Sequence, residues 1–223
     1  MFSPLERLLA FRYLRSRRSE GFISVIAWFS FAGITLGVST LIIVMSVMNG
    51  FRAELVNRIL GLNGHLGISS IYGNEISDFD SLTAAVAENP NILAAIPQIE
   101  SQVLVSTNNN TFGGIVRGVI WSDLAVRTPL WDSLSSDVIT RFQEKEVILI
   151  GKTMARNLNL TEGDSLTLLS PKGKNTAFGT LPSRKVFKIG GIFDVGMHEY
   201  DSSFVFMPLA SAQDFFAMPN KVS

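Results

Sequence analysis

Residues 22–48 read FISVIAWFSFAGITLGVSTLIIVMSVM, twenty-seven positions without a charged side chain. Crossing the hydrocarbon core of a bilayer, about 30 Å thick, takes about 20 apolar residues, and 27 residues rising about 1.5 Å each reach about 40 Å. The run reads as a membrane-spanning helix with length to spare, which tilts or emerges at one end. A cleaved leader has an apolar region of about 7–15 residues before a small-x-small site. This run is longer and passes straight into Met48-Asn49-Gly50-Phe51-Arg52, so it is a retained anchor. A buried soluble helix of this length would show a polar face, and this one has none.

The flanks assign direction. Five arginines, Arg7, Arg12, Arg15, Arg17 and Arg18, stand against Glu6 and Glu20 before the span. Basic residues close to a span mark the cytoplasmic side, which predicts an inside N-terminus and places everything after Met48 outside. Leu5, Leu8, Leu9 and Phe11 gather on one helical face among these arginines, the pattern of a short helix in the headgroup layer; the arginines also suffice simply to set topology. Within the span Ser30, Gly33, Gly37 and Thr40 recur at steps of three or four and form a small-residue stripe, the kind of surface through which helices approach closely in lipid. Val44 and Met48 continue it with bulkier side chains. After Gly50 the segment FRAELVNRILGLNG keeps a helical period in Phe51, Leu55, Ile59 and Leu62, predicting a stalk that Gly61 and Gly64 stop.

Composition fits a chain with one span and a globular remainder: 47% hydrophobic and 17% charged, against about 25% charged in soluble chains. The formal net charge is zero, which points to no nucleic-acid partner. With no cysteine, disulfides and thiolate metal sites are excluded.

Beyond the stalk the pattern shifts to short elements. Strands are predicted at His65–Ile71, Ile96–Ser106, Thr111–Trp121, Glu146–Ile150, Ser165–Ser170, Lys185–Phe193 and Phe204–Met207. Helices are predicted at Asp78–Glu88 and Lys152–Asn157, with a looser Ser- and Asp-rich stretch before Glu146. Hairpins mix with strand-helix-strand steps, which makes the domain α+β rather than doubly wound. Between Pro171 and Pro182 lies PKGKNTAFGTLP, read as a hairpin loop about twice the usual length of 2–5 residues. It carries Lys172, Lys174, Phe178 and Leu181 between its two prolines, and it reads as a protruding partner-binding loop.

No catalytic pattern survives inspection. Gly151-Lys152-Thr153 imitates the end of a phosphate-binding loop, but the glycine required five positions earlier is Glu146. Asp194, His198, Glu199 and Asp201 follow no recognised metal-ligand spacing and read as a solvated turn. GxSxG and a cysteine nucleophile are both missing from the sequence.

Several segments carry a family resemblance: FRYLRSRR, the run from Gly21 to Leu55 containing SVMNGF, RILGLNGH, IGKTMARNLNLTEGDSLTLLSP, LPSRKVFKIGGIFDVGMHEYDSSFVFMPL and AQDFF. Together they resemble the lipoprotein-releasing permeases of the LolC/LolE family, which are similar to MacB and FtsX permeases. The resemblance implies a MacB-like periplasmic domain after the first of four spans in the bacterial inner (cell) membrane. It implies three parts: 1–20 as a cytoplasmic interfacial segment, 21–60 as span and stalk, and 61–223 as a periplasmic domain incomplete at its C-terminus.

The same resemblance implies partners and roles. The chain is a transport subunit and not an enzyme; ATP and Mg belong to a separate LolD-like ATPase. A second permease, LolE-like or identical, completes the pair, and triacylated lipoproteins pass from the membrane lipid to the chaperone LolA. Pro171, Lys172, Lys174, Phe178, Leu181 and Pro182 occupy the position of the LolA-binding hook of LolC-like subunits, and Arg184 and Lys185 the position of its supporting pad. Val44 and Met48 fall where the family lines its lipoprotein pocket. The sequence stops at Lys221-Val222-Ser223, where the resemblance implies further spans, so a fragment or an incomplete product is expected. Two other readings stay open: a MacB-like or FtsX-like mechanotransmission permease with another substrate, and a single-pass periplasmic adaptor.

Overall fold

The computed structural model describes residues 3–14, 21–71, 75–107, 110–125, 128–144, 147–176 and 179–223. They divide into two compact units, Met1–Asn57 and Arg58–Ser223.

The first unit is helical. Helix α1 (Pro4–Leu14) opens with a reciprocal cap: the Ser3 N–H donates to Glu6 Oε2 at 2.7 Å and the Glu6 N–H donates to Ser3 Oγ at 3.3 Å. At about 100° per residue Leu5, Leu8 and Leu9 share a face, but Arg12 falls within it and Phe11 lies about 60° beyond Leu8. All of these side chains are exposed. Helix α2 runs unbroken from Gly21 to Asn63, and among the described residues it is the one helix long and apolar enough to cross a membrane. Two of its threonines satisfy their hydroxyls internally, Thr35 on the Phe31 carbonyl and Thr40 on the Leu36 carbonyl, both at 2.8 Å. That is how a hydroxyl is accommodated in an apolar stretch.

Gly61 does not stop α2, contrary to expectation. A mid-helix glycine costs about 1 kcal/mol relative to alanine, which packing at this end of the helix outweighs. The stop is Gly64, at φ 74°, whose N–H closes on the Leu60 carbonyl at 3.0 Å. Only a residue without a Cβ takes that left-handed position cheaply.

The second unit, entered by the last turn of α2, is a six-stranded closed barrel. Its strands are β1 (Gln98–Ser106), β2 (Thr111–Val119), β3 (Val147–Gly151), β4 (Ser165–Thr176), β5 (Gly179–Phe193) and β6 (Phe204–Pro208). They are ordered β1-β2-β6-β3-β5-β4, and β4 closes onto β1. The β2–β6 and β3–β5 pairs are parallel and the others antiparallel, which fits the expected mixed α+β class. The predicted strand at His65–Ile71 does not form. Its apolar residues suit a sheet, but it joins no strand ladder among the described residues, and Leu66 and Ile71 stand 86% and 90% exposed. Helix α3 (Phe79–Ala87) follows as predicted. The Ser- and Asp-rich stretch holds three short helices, α4 (Trp121–Leu124), α5 (Thr128–Trp131) and α6 (Ser136–Gln143). Helices α7 (Lys152–Leu158), α8 (His198–Ser203) and α9 (Leu209–Phe216) complete the unit.

Alternation along the strands divides the core in two. Ile99, Val116, Ile148, Leu166, Ile189 and Val205, one from each strand, meet in one apolar cluster together with α7 and α9. The intervening residues Val119, Leu149 and Phe206 face a second cluster with Leu124, Leu130, Val138 and Phe142 of the short helices and Leu62 of α2. Strand β3 is thus buried on both faces, and it reads as an uninterrupted apolar run for that reason.

Gly151, where β3 turns into α7, allows a close approach: a Cβ built there would lie 2.5 Å from the backbone Cα and C of Asp201. Backbone cannot swing aside, so Gly151→Ala is expected to destabilise the barrel by about 2–3 kcal/mol. Gly113, with open space around it, tolerates the same change nearly neutrally. Thermal unfolding of the two variants in detergent checks this; equal midpoints would refute the close approach.

Candidate functional site

The stripe expected along the span is present in helical geometry. Ser30, Gly33, Gly37, Thr40, Val44 and Met48 fall within a sector of about 80° on α2. A Cβ built on Gly33 or Gly37 would meet nothing within 4 Å, and Val44 and Met48 are exposed. This face is unfilled within the first unit.

The segment expected to be a loop is largely strand. β4 and β5 pair to Ser170↔Ser183, shift register, and pair again at Lys174↔Leu181, Asn175↔Thr180 and Thr176↔Gly179. Three residues of β4, 171–173, stand against Pro182 alone, so the two prolines sit at a bulge. Proline has no N–H for a ladder, and a bulge is where a strand accepts one. Beyond Ser170 and Ser183 no third strand joins the pair among the described residues, leaving a two-stranded ribbon. Phe178, expected among its partner-binding residues, lies outside the described residues. Pro171 borders a shallow depression of about 390 Å³ shared with Gln102, Leu104, Gly113 and Ile115. Arg184 and Lys185, expected as one pad, are both exposed, yet adjacent strand residues point to opposite faces. Lys185 Nζ lies 5.2 Å from the centre of the Phe187 ring, which fixes its side.

In the DVGMHEYD segment Asp194, His198 and Glu199 are exposed, as expected of a solvated turn, but its second half is helix α8 and is partly buried. Tyr200 and Asp201 are buried at the base of α8. Asp201 Oδ1 accepts the Val195 N–H at 3.0 Å, and burial pushes its carboxyl up from the ordinary value, helped by the Asp194 charge nearby. Asp194 accepts from Lys152 Nζ at 2.7 Å, and that hydrogen bond, ahead of the ammonium charge itself, holds its carboxyl low. Lys152 is thereby engaged in an ion pair.

One cluster escaped the sequence reading. Arg117 of β2 is only 3% exposed and faces Glu100, its direct partner on β1. Its Nε donates to Glu100 Oε2 at 2.8 Å, and Nη2 donates to the same oxygen. Nη1 donates to the Leu62 carbonyl and Nη2 to Asn63 Oδ1, each at 3.0 Å. Asn63 Nδ2 in turn donates to the Tyr200 hydroxyl. The guanidinium carbon lies 4.9 Å from the centre of the Phe204 ring. A lone arginine in the apolar run from Gly113 to Ile120 is the sequence signal that marks it.

A helix able to cross a bilayer, ending against a mixed barrel with a two-stranded ribbon, defines a membrane-anchored domain protein. The family described as the MacB-like periplasmic core domain matches residues 27–222, and the chain belongs to it. Curated relatives that the chain resembles along nearly its whole length carry the names of lipoprotein-releasing LolC and LolE proteins. It is 32% identical to "Lipoprotein-releasing system transmembrane protein LolC" of Xylella fastidiosa (strain Temecula1 / ATCC 700964), over 98% of this chain and 52% of the relative. It is 31% identical to the LolC protein of Neisseria meningitidis serogroup B, over 100% and 54%. It is 27% identical to the LolE protein of Haemophilus influenzae, over 96% and 52%. The chain spans about half the length of the curated relatives it matches.

The acid pair gives a pH signature. A carboxyl whose pKa is raised on folding supports the native state most when protonated, so the contribution of Asp201 fades as pH rises from below the ordinary carboxylate value through its raised one. Asp194 acts oppositely: its support is present above the ordinary value and is lost as pH falls through its lowered one. Asp201→Asn keeps an acceptor for the Val195 N–H and removes the charge. Its melting temperature is expected to gain on the wild type between about pH 4 and pH 7. Parallel melting curves across that range would refute the raised carboxyl.

Proposed function

We propose that the chain is the N-terminal part of a permease subunit of an ABC transporter that extracts lipoproteins from the bacterial inner membrane and passes them to the periplasmic chaperone LolA. The observation that carries this reading is the similarity to LolC proteins along the whole chain, through span, stalk and barrel alike. ATP and Mg act in a separate LolD-like ATPase, and a second permease subunit, LolE-like or identical, completes the pair. The arginines before the span favour a cytoplasmic N-terminus, with 1–20 at the membrane surface, 21–60 as span and stalk, and 61–223 in the periplasm.

In this reading the ribbon holds the chaperone. Pro171, Lys172, Lys174, Leu181 and Pro182 belong to a β-ribbon with free edges, a form suited to capture by added strand pairing and side-chain contacts. Phe178 lies between its strands in sequence. Arg184 and Lys185 flank its base on opposite faces, so one of them meets the chaperone and the other does not. On α2 the small stripe packs against a neighbouring helix, and Val44 and Met48 touch the lipoprotein's acyl chains. Methionine adapts to such a varied apolar surface.

The test uses the assembled transporter with its ATPase. Replacing 172–181 by a two-residue turn is expected to abolish LolA capture without disturbing assembly. Arg184→Glu and Lys185→Glu, made singly, are expected to differ, one weakening capture by about tenfold and the other nearly silent. Undiminished capture by the ribbon deletion would overturn this assignment and favour a MacB-like or FtsX-like permease with another substrate.

A further inference from the structure

The covalent route from α2 to the rest of its unit is slack. After Asn63 the backbone turns at Gly64 and residues 64–71 are irregular with none buried; among the described residues beyond them, Glu75 pairs with Lys221 and Ile76 with Val222. Helix α3 beyond it has no fully buried side chain. A segment with few buried contacts and an open backbone yields before it pulls.

Beside that slack chain runs a short path through side chains. Leu62 is buried in the second apolar cluster, against β2, β3 and β6. The Arg117 fork holds the Leu62 carbonyl and Asn63 Oδ1 from β2 while bonded to Glu100 of β1. The Asn63 amide uses both ends: arginine can only donate, so the amide oxygen faces Arg117 and the nitrogen faces the Tyr200 hydroxyl. Tyr200 stacks on Phe204 of β6 with ring centres 4.6 Å apart. Two consecutive residues of α2 therefore reach β1, β2, β6 and α8. An apolar plug alone can slide or rotate, whereas a planar fork on two acceptors fixes orientation as well as distance.

We infer that Leu62 and Asn63, gripped by Arg117, Glu100 and Tyr200, form the joint through which displacement of the last turn of α2 reaches the barrel, bypassing the covalent segment 64–71. These are positioning residues, and their role rests on reading the chain as a permease driven by a distant ATPase. The joint works by stiffness: it converts a shift or rotation of the helix end into the same movement of β1 and β2.

The experiment reads lipoprotein released to LolA per ATP hydrolysed by the complete transporter in nanodiscs. Arg117→Lys retains the charge and loses the fork; Tyr200→Phe retains the stacked ring and loses one hydroxyl. Release per ATP is expected to fall about fivefold or more in the first and about twofold in the second, the scale of one or two lost hydrogen bonds. ATP hydrolysis and assembly stay within error of wild type. Two glycines inserted between Leu66 and Gly67 are expected to leave the ratio unchanged. Loss of coupling on that insertion, or full coupling in Tyr200→Phe and Arg117→Lys, overturns the inference. Should Arg117→Lys fail to assemble, Tyr200→Phe and the insertion decide. A wild-type complex that hydrolyses ATP and releases no lipoprotein instead refutes the transport reading. The joint is then judged by hydrogen exchange, which must accelerate at amides 60–64 in Arg117→Lys while β3 and β5 stay protected; unchanged exchange at 60–64 rejects it.

Discussion

Burying a guanidinium in a protein costs several kcal/mol unless it is paired and hydrogen-bonded, and the second unit does this with Arg117. Four of its five N–H donors have partners on Glu100, Leu62 and Asn63, and an aromatic face lies alongside. The arrangement answers two needs at once. The last carbonyls of a helix lack partners within it and carry the negative end of its dipole, so a cation placed there is favoured twice. The cation in turn finds Glu100 directly across an antiparallel pair, where opposite charges on facing positions stabilise the ladder. Glu100 remains partly in water, which lowers the cost of desolvating it. The end of the membrane helix and the first hairpin of the barrel are thus fastened by the same group.

The barrel gives that fastening something rigid to act on. Its central strands β3 and β6 are buried on both faces, one face toward the cluster filled from all six strands and the other toward the cluster capped by the short helices and by Leu62. The β3–β5 pair carries a register shift at Gly190, where a Cβ would collide with the Val147 side chain. That shift moves Ile189 and Phe193 into different clusters although four residues separate them, a change of face that strict alternation forbids. The ribbon of β4 and β5, by contrast, leaves the barrel's ladder after Ser170, and among the described residues no third strand joins it. Rigid parts thus hold the end of α2, while the ribbon stands apart from the barrel's ladder.

Much of this was legible in the residues, and the failures are instructive. The span, the alternating strands from Gln98 onward and helices α3 and α7 follow from periodicity and local stop signals, which are written in neighbouring residues. Barrel closure is not, because it depends on which edges meet, and β4 joins β1 through only three residue pairs, from Leu104↔Leu169 to Ser106↔Thr167. His65–Ile71 has the alternation of a strand, but alternation supplies propensity and cannot supply a ladder to join. The prolines at 171 and 182 read as loop punctuation in sequence, whereas in space both lie within one register shift beyond which the strands pair again. Arg117 was visible as one charge in an apolar run, but nothing local tells that its acceptors lie 54 and 55 residues away. The span's small stripe follows from residue spacing and the ribbon's pad from resemblance, and the structure adds that Arg184 and Lys185 divide between two faces.

The mechanical reading requires that Asn63 of the helix end and Arg117 of the barrel interact energetically and do not merely touch. A double-mutant cycle on unfolding of the chain in detergent, with Asn63→Ala, Arg117→Met and both together, measures that interaction directly. The account expects a coupling free energy of about 1 kcal/mol or more between the two sites. Additivity within about 0.3 kcal/mol would contradict it, since residues that do not share a network behave in that way.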